Sequence, residues 1–163
     1  MNELPAAVET SAAQELGAEL ARLAIGRVAP DEMLVFAETA DEYFADPAGT
    51  LKAQRGDEPV GFGLELALLA PFALAVGGFV VQFLGELFAD TAKDLAKTPV
   101  EAFIRRLLKL PGGTAAAAGE QLTADQQERV FTAAVREGER LGLPTDTATL
   151  LGHALVGSLA VGP

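Results

Sequence analysis

The chain has 163 residues, half of them hydrophobic, and 23 acidic against 12 basic side chains give a formal net charge of -11. That length suits one medium domain or two small helical ones, and zero Cys excludes disulfides, thiol catalysis and Cys-ligated metal sites. So large a deficit of Lys and Arg excludes an ordinary nucleic-acid partner, since phosphate binding is driven by cationic side chains and counterion release; a mean hydropathy of +0.27 argues against disorder.

Neither charge nor apolarity is evenly spread. Residues 1–59 carry twelve acids and four bases, 60–88 only Glu65 and Glu86, 89–111 five bases against three acids, and 112–163 six acids against three Arg. Six of the nine Phe fall between 60 and 110, so the apolar mass is central. The pattern predicts a mainly α protein of helical hairpins around a central hydrophobic helix. Its parts are an acidic N-terminal hairpin (1–46), a linker (47–59), a central hydrophobic segment with a basic amphipathic helix (60–110), a flexible linker (111–121) and a C-terminal hairpin (122–163). Glu3, Glu9, Glu15 and Glu19 in the first twenty residues are contrary to a secretory signal.

In the first hairpin Leu16, Leu20, Leu23 and Ala24 recur at helical spacing, with Glu15, Glu19 and Arg22 turned outward. Pro30 ends that run, and Asp31 and Glu32 open a second helix, because acids suit a helix N-terminus. There Met33, Phe36, Ala37, Ala40, Tyr43 and Phe44 form the apolar seam. Glu38, Asp41 and Glu42, with Asp46 just beyond, share the opposite face. Carboxylates so spaced could gather a divalent cation or form an acid–base pair, yet a helix with an apolar seam needs a solvated face in any case. Neither a Glu-x-x-His pair nor an EF-hand loop accompanies them, so no metal and no other cofactor is expected. The following DPAGTLKAQRGDEP, rich in Pro, Gly and charge without periodicity, reads as a loop.

Between 66 and 85 twenty residues (LALLAPFALAVGGFVVQFLG) carry no formal charge, about the length that spans a ~30 Å hydrocarbon core. Lys93, Lys97, Arg105, Arg106 and Lys109 follow, which favours a cytoplasmic side for that end. Ala73 with Gly77 and Gly85 with Ala89 offer small-residue pairs for close helix contact. Against a continuous span, Pro71 lies inside the run and Gly77-Gly78 weakens its middle. A helix starting at Pro71 instead aligns Phe72, Val76, Phe79, Val80, Phe83, Leu87 and Leu95, and leaves a period-two alternation over 60–69 that predicts a short strand. The charge-free helical part then shrinks to 72–85, a length that suits a buried or interfacial helix.

On either geometry Phe72, Val76, Phe79, Val80, Phe83 and Leu87 are the expected membrane or oligomer contacts. Lys93, Lys97, Arg105, Arg106 and Lys109 are expected to meet lipid headgroups or an anionic partner. Thr98-Pro99-Val100-Glu101 is a capping box with Pro at the first helical position, and it opens an amphipathic helix that Pro111 stops.

Thr123-Ala124-Asp125-Gln126 is a second capping box, opening a helix with Val130, Phe131, Ala134, Val135 and Leu141 on one face. Gly142 and Pro144 end it, Thr145 or Asp146 caps the next, and Leu150, Leu151, Ala154, Leu155 and Leu159 form the buried side of the last helix. A helix-turn-helix reader of DNA has a similar outline, but 145–163 offers no Lys or Arg to bases or phosphates. His153 is the only His, Ser158 lies on another part of its helix, and no nucleophile elbow or phosphate loop occurs. A hydrolase or lyase using His153 is therefore the weakest functional expectation.

The phrases PDEMLVF, DEYFADP, GFGLELALLAP, FIRRLL, LTADQQERV and GLPTDTATLL, in that order, resemble uncharacterised small helical proteins of high-GC actinobacteria. The resemblance covers most of the chain and implies a bacterial helical protein, intracellular or membrane-associated. The expected role is a non-enzymatic membrane-associated or partner-binding module, with the central helix as anchor or oligomerisation element and the acidic flanks recruiting another protein. The alternative is a soluble adaptor or homo-oligomer with that helix buried in its core. Either would sit in the cytoplasm or on the cytoplasmic face of a membrane, with no nucleic acid bound.

Overall fold

A computed structural model describes residues 10–54, 68–89, 105 and 122–160. Among these residues lie six α-helices, α1 (Thr10–Val28), α2 (Phe36–Ala45), α3 (Pro47–Gln54), α4 (Ala70–Ala89), α5 (Ala124–Arg140) and α6 (Thr145–Ala160). A 3-10 turn (Pro30–Val35) joins α1 to α2, and the described residues contain no strand. The protein is mainly α, as expected. The strand expected over 60–69 lies outside the described residues except for Leu68 and Leu69, which are a non-helical lead-in to α4. The linker at 111–121 and the helix expected over 98–110 also lie outside them, apart from Arg105, which is helical.

Helix α1 packs on α4 and on α6, α4 also packs on α5, and α5 pairs with α6, so four helices close a ring around one core. Leu16, Leu20 and Ile25 of α1, Val76, Val80, Val81 and Leu84 of α4, and Leu151, Leu155 and Leu159 of α6 are fully buried there. Removing each such side chain from water contributes about 1.5–3 kcal/mol. Helices α2 and α3 pack on α4 from outside the ring.

The α1–α4 contact is set by glycine. A methyl group built on Gly17 would stand 2.8 Å from the Gly78 Cα, and one on Gly77 would stand 2.7 Å from the Gly17 carbonyl oxygen. Backbone therefore meets backbone at a distance that residues with a Cβ do not permit. Gly77-Gly78 weakens an isolated helix, as the sequence suggests, but here it is what lets α4 approach α1.

Pro71 begins the central helix and does not kink a longer one: it is the second residue of α4, where a missing N–H is harmless. The amides just ahead of it are satisfied from far upstream. Glu32, in the 3-10 turn, accepts from the Leu69 and Ala70 N–H groups at 2.8 Å each, and Gln54 at the end of α3 accepts from the Leu68 N–H at 2.7 Å. A carboxylate placed there occupies orphan donors and opposes the positive end of the helix dipole.

Three sequence expectations change. The first part of the stretch read as a loop is helix α3, capped by the Asp46 carboxylate, which accepts the Gly49 N–H at 3.2 Å, with Pro47 at the first position. Asp-Pro is a helix-start signal, but α3 is short and buries only Leu51, too little to produce a periodic pattern. On α2, Phe36 and Thr39 are buried while Ala37 and Phe44 face solvent. The preceding 3-10 turn, with 3.0 residues per turn against 3.6, shifts the phase of the seam. Leu150, assigned to the buried side of α6, is 51% exposed and lies beside the line of Leu151, Leu155 and Leu159.

The C-terminal hairpin follows its local signals. Thr123 Oγ1 accepts the Gln126 N–H at 3.1 Å, and the Gln126 side chain accepts the Thr123 N–H at 2.9 Å. Gly142, at φ 112°, takes the left-handed conformation that ends α5, and the Leu143 N–H reaches the Gly138 carbonyl at 3.0 Å.

Two stability predictions follow from these contacts. Gly17→Ala should destabilise the fold by about 1–3 kcal/mol through overpacking, whereas Gly26→Ala, with nothing within 4 Å of the new methyl group, should stabilise it by about 0.5–1 kcal/mol. Chemical denaturation measures both, and equal effects would contradict the close crossing. Glu32→Ala should remove about 1 kcal/mol and speed hydrogen exchange at the Leu69 and Ala70 amides, with little change at the α5 cap.

Candidate functional site

The residues expected to contact a membrane or a second copy are divided by the fold. Phe72 is 4% exposed and Val76 and Val80 are 0% exposed, all inside the chain's own core. Phe83 and Leu87 are half-buried, and Phe79 is 36% exposed. Ala73, Leu74, Val81 and Leu84 are buried as well. Burial thus extends around most of the α4 circumference, because α4 is packed by α1 on one side, by α5 on another and by α2 and α3 on a third. The exposed line is Phe79, Gln82 and Glu86, at helical spacings of three and four. It carries both polar side chains that α4 possesses.

A depression lies on each side of this line. On one side a cleft of about 210 Å³ opens between α1, the α2–α3 corner and α4. Ala13, Gly17, Leu74 and Gly78 line it from α1 and α4, Tyr43, Phe44 and Pro47 from the corner, and the exposed carboxamides of Gln14 and Gln82 complete it. The cleft owes its depth to Gly17 and Gly78, which put no side chain where the helices cross. On the other side Phe83, stacked on Phe79 at a centroid distance of 6.4 Å, borders an open groove of about 560 Å³ along α5. Asp125, Glu128, Arg129 and Arg136 line that groove, with Arg129 and Asp125 paired at 3.5 Å.

Tyr43 is the group in the cleft whose chemistry the fold alters. Burial pushes its phenol above the ordinary value of 10.0, and the negative charge of Glu137 adds to the rise. At neutral pH it is an uncharged hydroxyl, able both to donate and to accept a hydrogen bond.

The remaining candidates are dispersed. Of the basic residues expected to meet an anionic surface, Arg105 is paired with Glu15 of α1 at 2.7 Å, its side chain only 16% exposed. Lys93, Lys97, Arg106 and Lys109 lie outside the described residues. Glu38, Asp41 and Glu42 are exposed on α2, Asp46 is the α3 cap, and no group of three or more metal-ligating side chains occurs among the described residues. His153 is exposed, its ring 4.5 Å from that of Phe131, and the buried Ser158 hydroxyl donates to the Ala154 carbonyl one turn back at 2.9 Å. The fold thus does not bring His153 and Ser158 together as a base and a nucleophile.

The cleft was not legible in the sequence, since Gln14, Tyr43 and Gln82 come from three separated helices. The available signal was a Gly in the middle of α1 and two in the middle of α4, each unfavourable unless another backbone approaches. No protein-family model, no curated protein and no solved structure matches this chain.

Tyr43 is the single Tyr and there is no Trp, so absorbance reads this one phenol directly. In the folded protein it should titrate above 10.0. Its contribution to stability should be intact below the unfolded phenol's pKa and lost as pH rises through the folded one. Tyr43→Phe should abolish that alkaline loss; a native midpoint at or below the ordinary value would contradict the burial of the hydroxyl.

Proposed function

We propose that the protein is a soluble, non-enzymatic helical adaptor whose central helix serves its own core and whose acidic N-terminal flank binds a cationic segment of a partner protein. The observation that carries the first half is the position of Gln82 and Glu86: the two polar side chains of α4 fall on its exposed line, while Phe72, Val76 and Val80 are covered by the rest of the chain. A helix apolar almost all round needs either lipid or a burial shell, and here three sides of α4 have such a shell.

The second half draws on charge. Residues 1–59 hold twelve acids against four bases, and Glu38, Asp41 and Glu42 stand exposed on α2. Glu15 on α1 already holds the guanidinium of Arg105 at 2.7 Å, which illustrates the kind of group this flank attracts. Exposed charges of one sign raise encounter rates with an oppositely charged segment and make binding salt-dependent.

A membrane-associated role is favoured by a different observation, the 18 residues Ala70–Leu87, which are long and apolar enough to cross a bilayer. Withdrawing them into lipid would uncover Gly17 and Ala21 of α1, which lie against Gly77 and are buried in the fold. The soluble reading therefore leads.

Alkaline washing of membranes and detergent-free sizing should leave the protein in the soluble fraction; retention by the washed membrane would overturn the soluble half. A fluorescent decalysine peptide should bind at low salt and be released as salt rises. Reversing Glu38, Asp41 and Glu42 to Lys should weaken it at least tenfold, while reversing Glu128, Glu139 and Asp146 should leave it within twofold. Equal effects of the two triple variants would reduce the binding to net charge and refute a recognition flank.

A further inference from the structure

Resting on the partner-binding role proposed above, we infer that the cleft between α1, the α2–α3 corner and α4 receives an aromatic side chain of the cationic partner segment, seated over Gly78. Size sets the first limit. An apolar cavity of about 150 Å³ holds a benzene ring, and pockets for drug-sized ligands run to ~300–1,000 Å³. At about 210 Å³ the cleft takes one ring system and no larger ligand.

Charge sets the second. All the residues that line the cleft are uncharged, in a chain of net charge -11. A Lys or carboxylate head entering it would lose water without gaining a counter-charge, whereas a neutral ring would not. Tyr43 and Phe44 already meet edge to face, with centroids 5.3 Å apart, and a third ring extends that arrangement.

The surroundings point to a peptide as the source of the ring. Gln14 and Gln82 carry exposed carboxamides, each able to donate to a peptide carbonyl and accept from a peptide N–H on either side of the anchored residue. Asp46, adjoining Pro47 in the corner, and Glu86, one turn beyond Gln82 on the exposed line of α4, are exposed carboxylates at the edge of the cleft that can meet Lys or Arg neighbours of the aromatic residue. A buried aromatic anchor within a charged rim is the usual energetic layout of a docking site. The wider groove along α5 lacks this layout, since its walls carry mixed charges and it is open along its length.

The sole Tyr reports the event. The acetylated tripeptide amides Lys-Trp-Lys and Lys-Ala-Lys are titrated at low salt while Tyr43 emission is followed, with energy transfer to the indole as the signal of a ring beside it. The Trp peptide should quench Tyr43 saturably and bind at least tenfold more tightly than the Ala peptide. Gly78→Ala and Gly78→Leu project into open space, since nothing lies within 4 Å of a methyl group built there, and circular dichroism checks that both stay helical. The Leu variant should erase the preference for Trp, the Ala variant should reduce it, and both should still bind Lys-Ala-Lys. Equal binding of the two peptides to the native protein, or an undiminished Trp preference in Gly78→Leu, would overturn the inference while leaving the cationic partner in place. Binding of neither peptide, with decalysine also unbound, would overturn the partner-binding role itself.

Discussion

The backbone contact between Gly17 of α1 and Gly77 and Gly78 of α4 sets the separation of the two central helices, and the rest of the core is arranged around it. Each glycine weakens its own helix by roughly 1 kcal/mol relative to Ala. That loss is offset because a close crossing brings Leu16, Leu20, Val76 and Val80 into complete burial on either side of it. Glu32 fixes the other coordinate. By accepting the Leu69 and Ala70 amides it ties the turn after α1 to the N-terminus of α4, so both the crossing point and the end of the central helix are held by residues distant in sequence.

The same contact links fold to surface chemistry. Where two helices touch through glycine, no side chains fill the wedge beside the crossing, and Tyr43, Phe44 and Pro47 wall it off into a cleft. Packing and surface shape are therefore not separate features of α4. Its buried sides close the core, its exposed line carries Gln82 and Glu86, and the boundary between the two is the uncharged cleft. An apolar helix of this composition is equally at home in lipid, since bilayer and protein interior both remove it from water. In this fold α1, α2, α3 and α5 pack on its flanks.

Electrostatics acts at a different level. Exposed ion pairs such as Arg129–Asp125 contribute little to stability, on the order of 0–1 kcal/mol. The pair between Arg105 and Glu15 matters for placement, because it joins the basic stretch to the acidic face of α1 across 90 residues of sequence. Glu38, Asp41 and Glu42 remain exposed on α2.

By itself the sequence determined the helical class, Leu16, Leu20 and Ala24 in the core of α1 though not Ala21 or Ile25, the start of α4 at Pro71 as one of two possibilities, and the capping box and Gly142 stop of the C-terminal hairpin. These are local matters of periodicity and end chemistry, readable within a few turns of chain. Two local signals misled: the 3-10 turn shifted the phase of α2, and α3 was too short to show a period. Only the tertiary structure decided which sides of α4 are covered, that Gly77-Gly78 is a contact and not a weak point, that Glu32 caps a helix 38 residues later, and that Gln14, Tyr43 and Gln82 surround one cleft. Each of these depends on which helix lies against which, and a hydrophobic pattern records that a face is buried without recording what buries it.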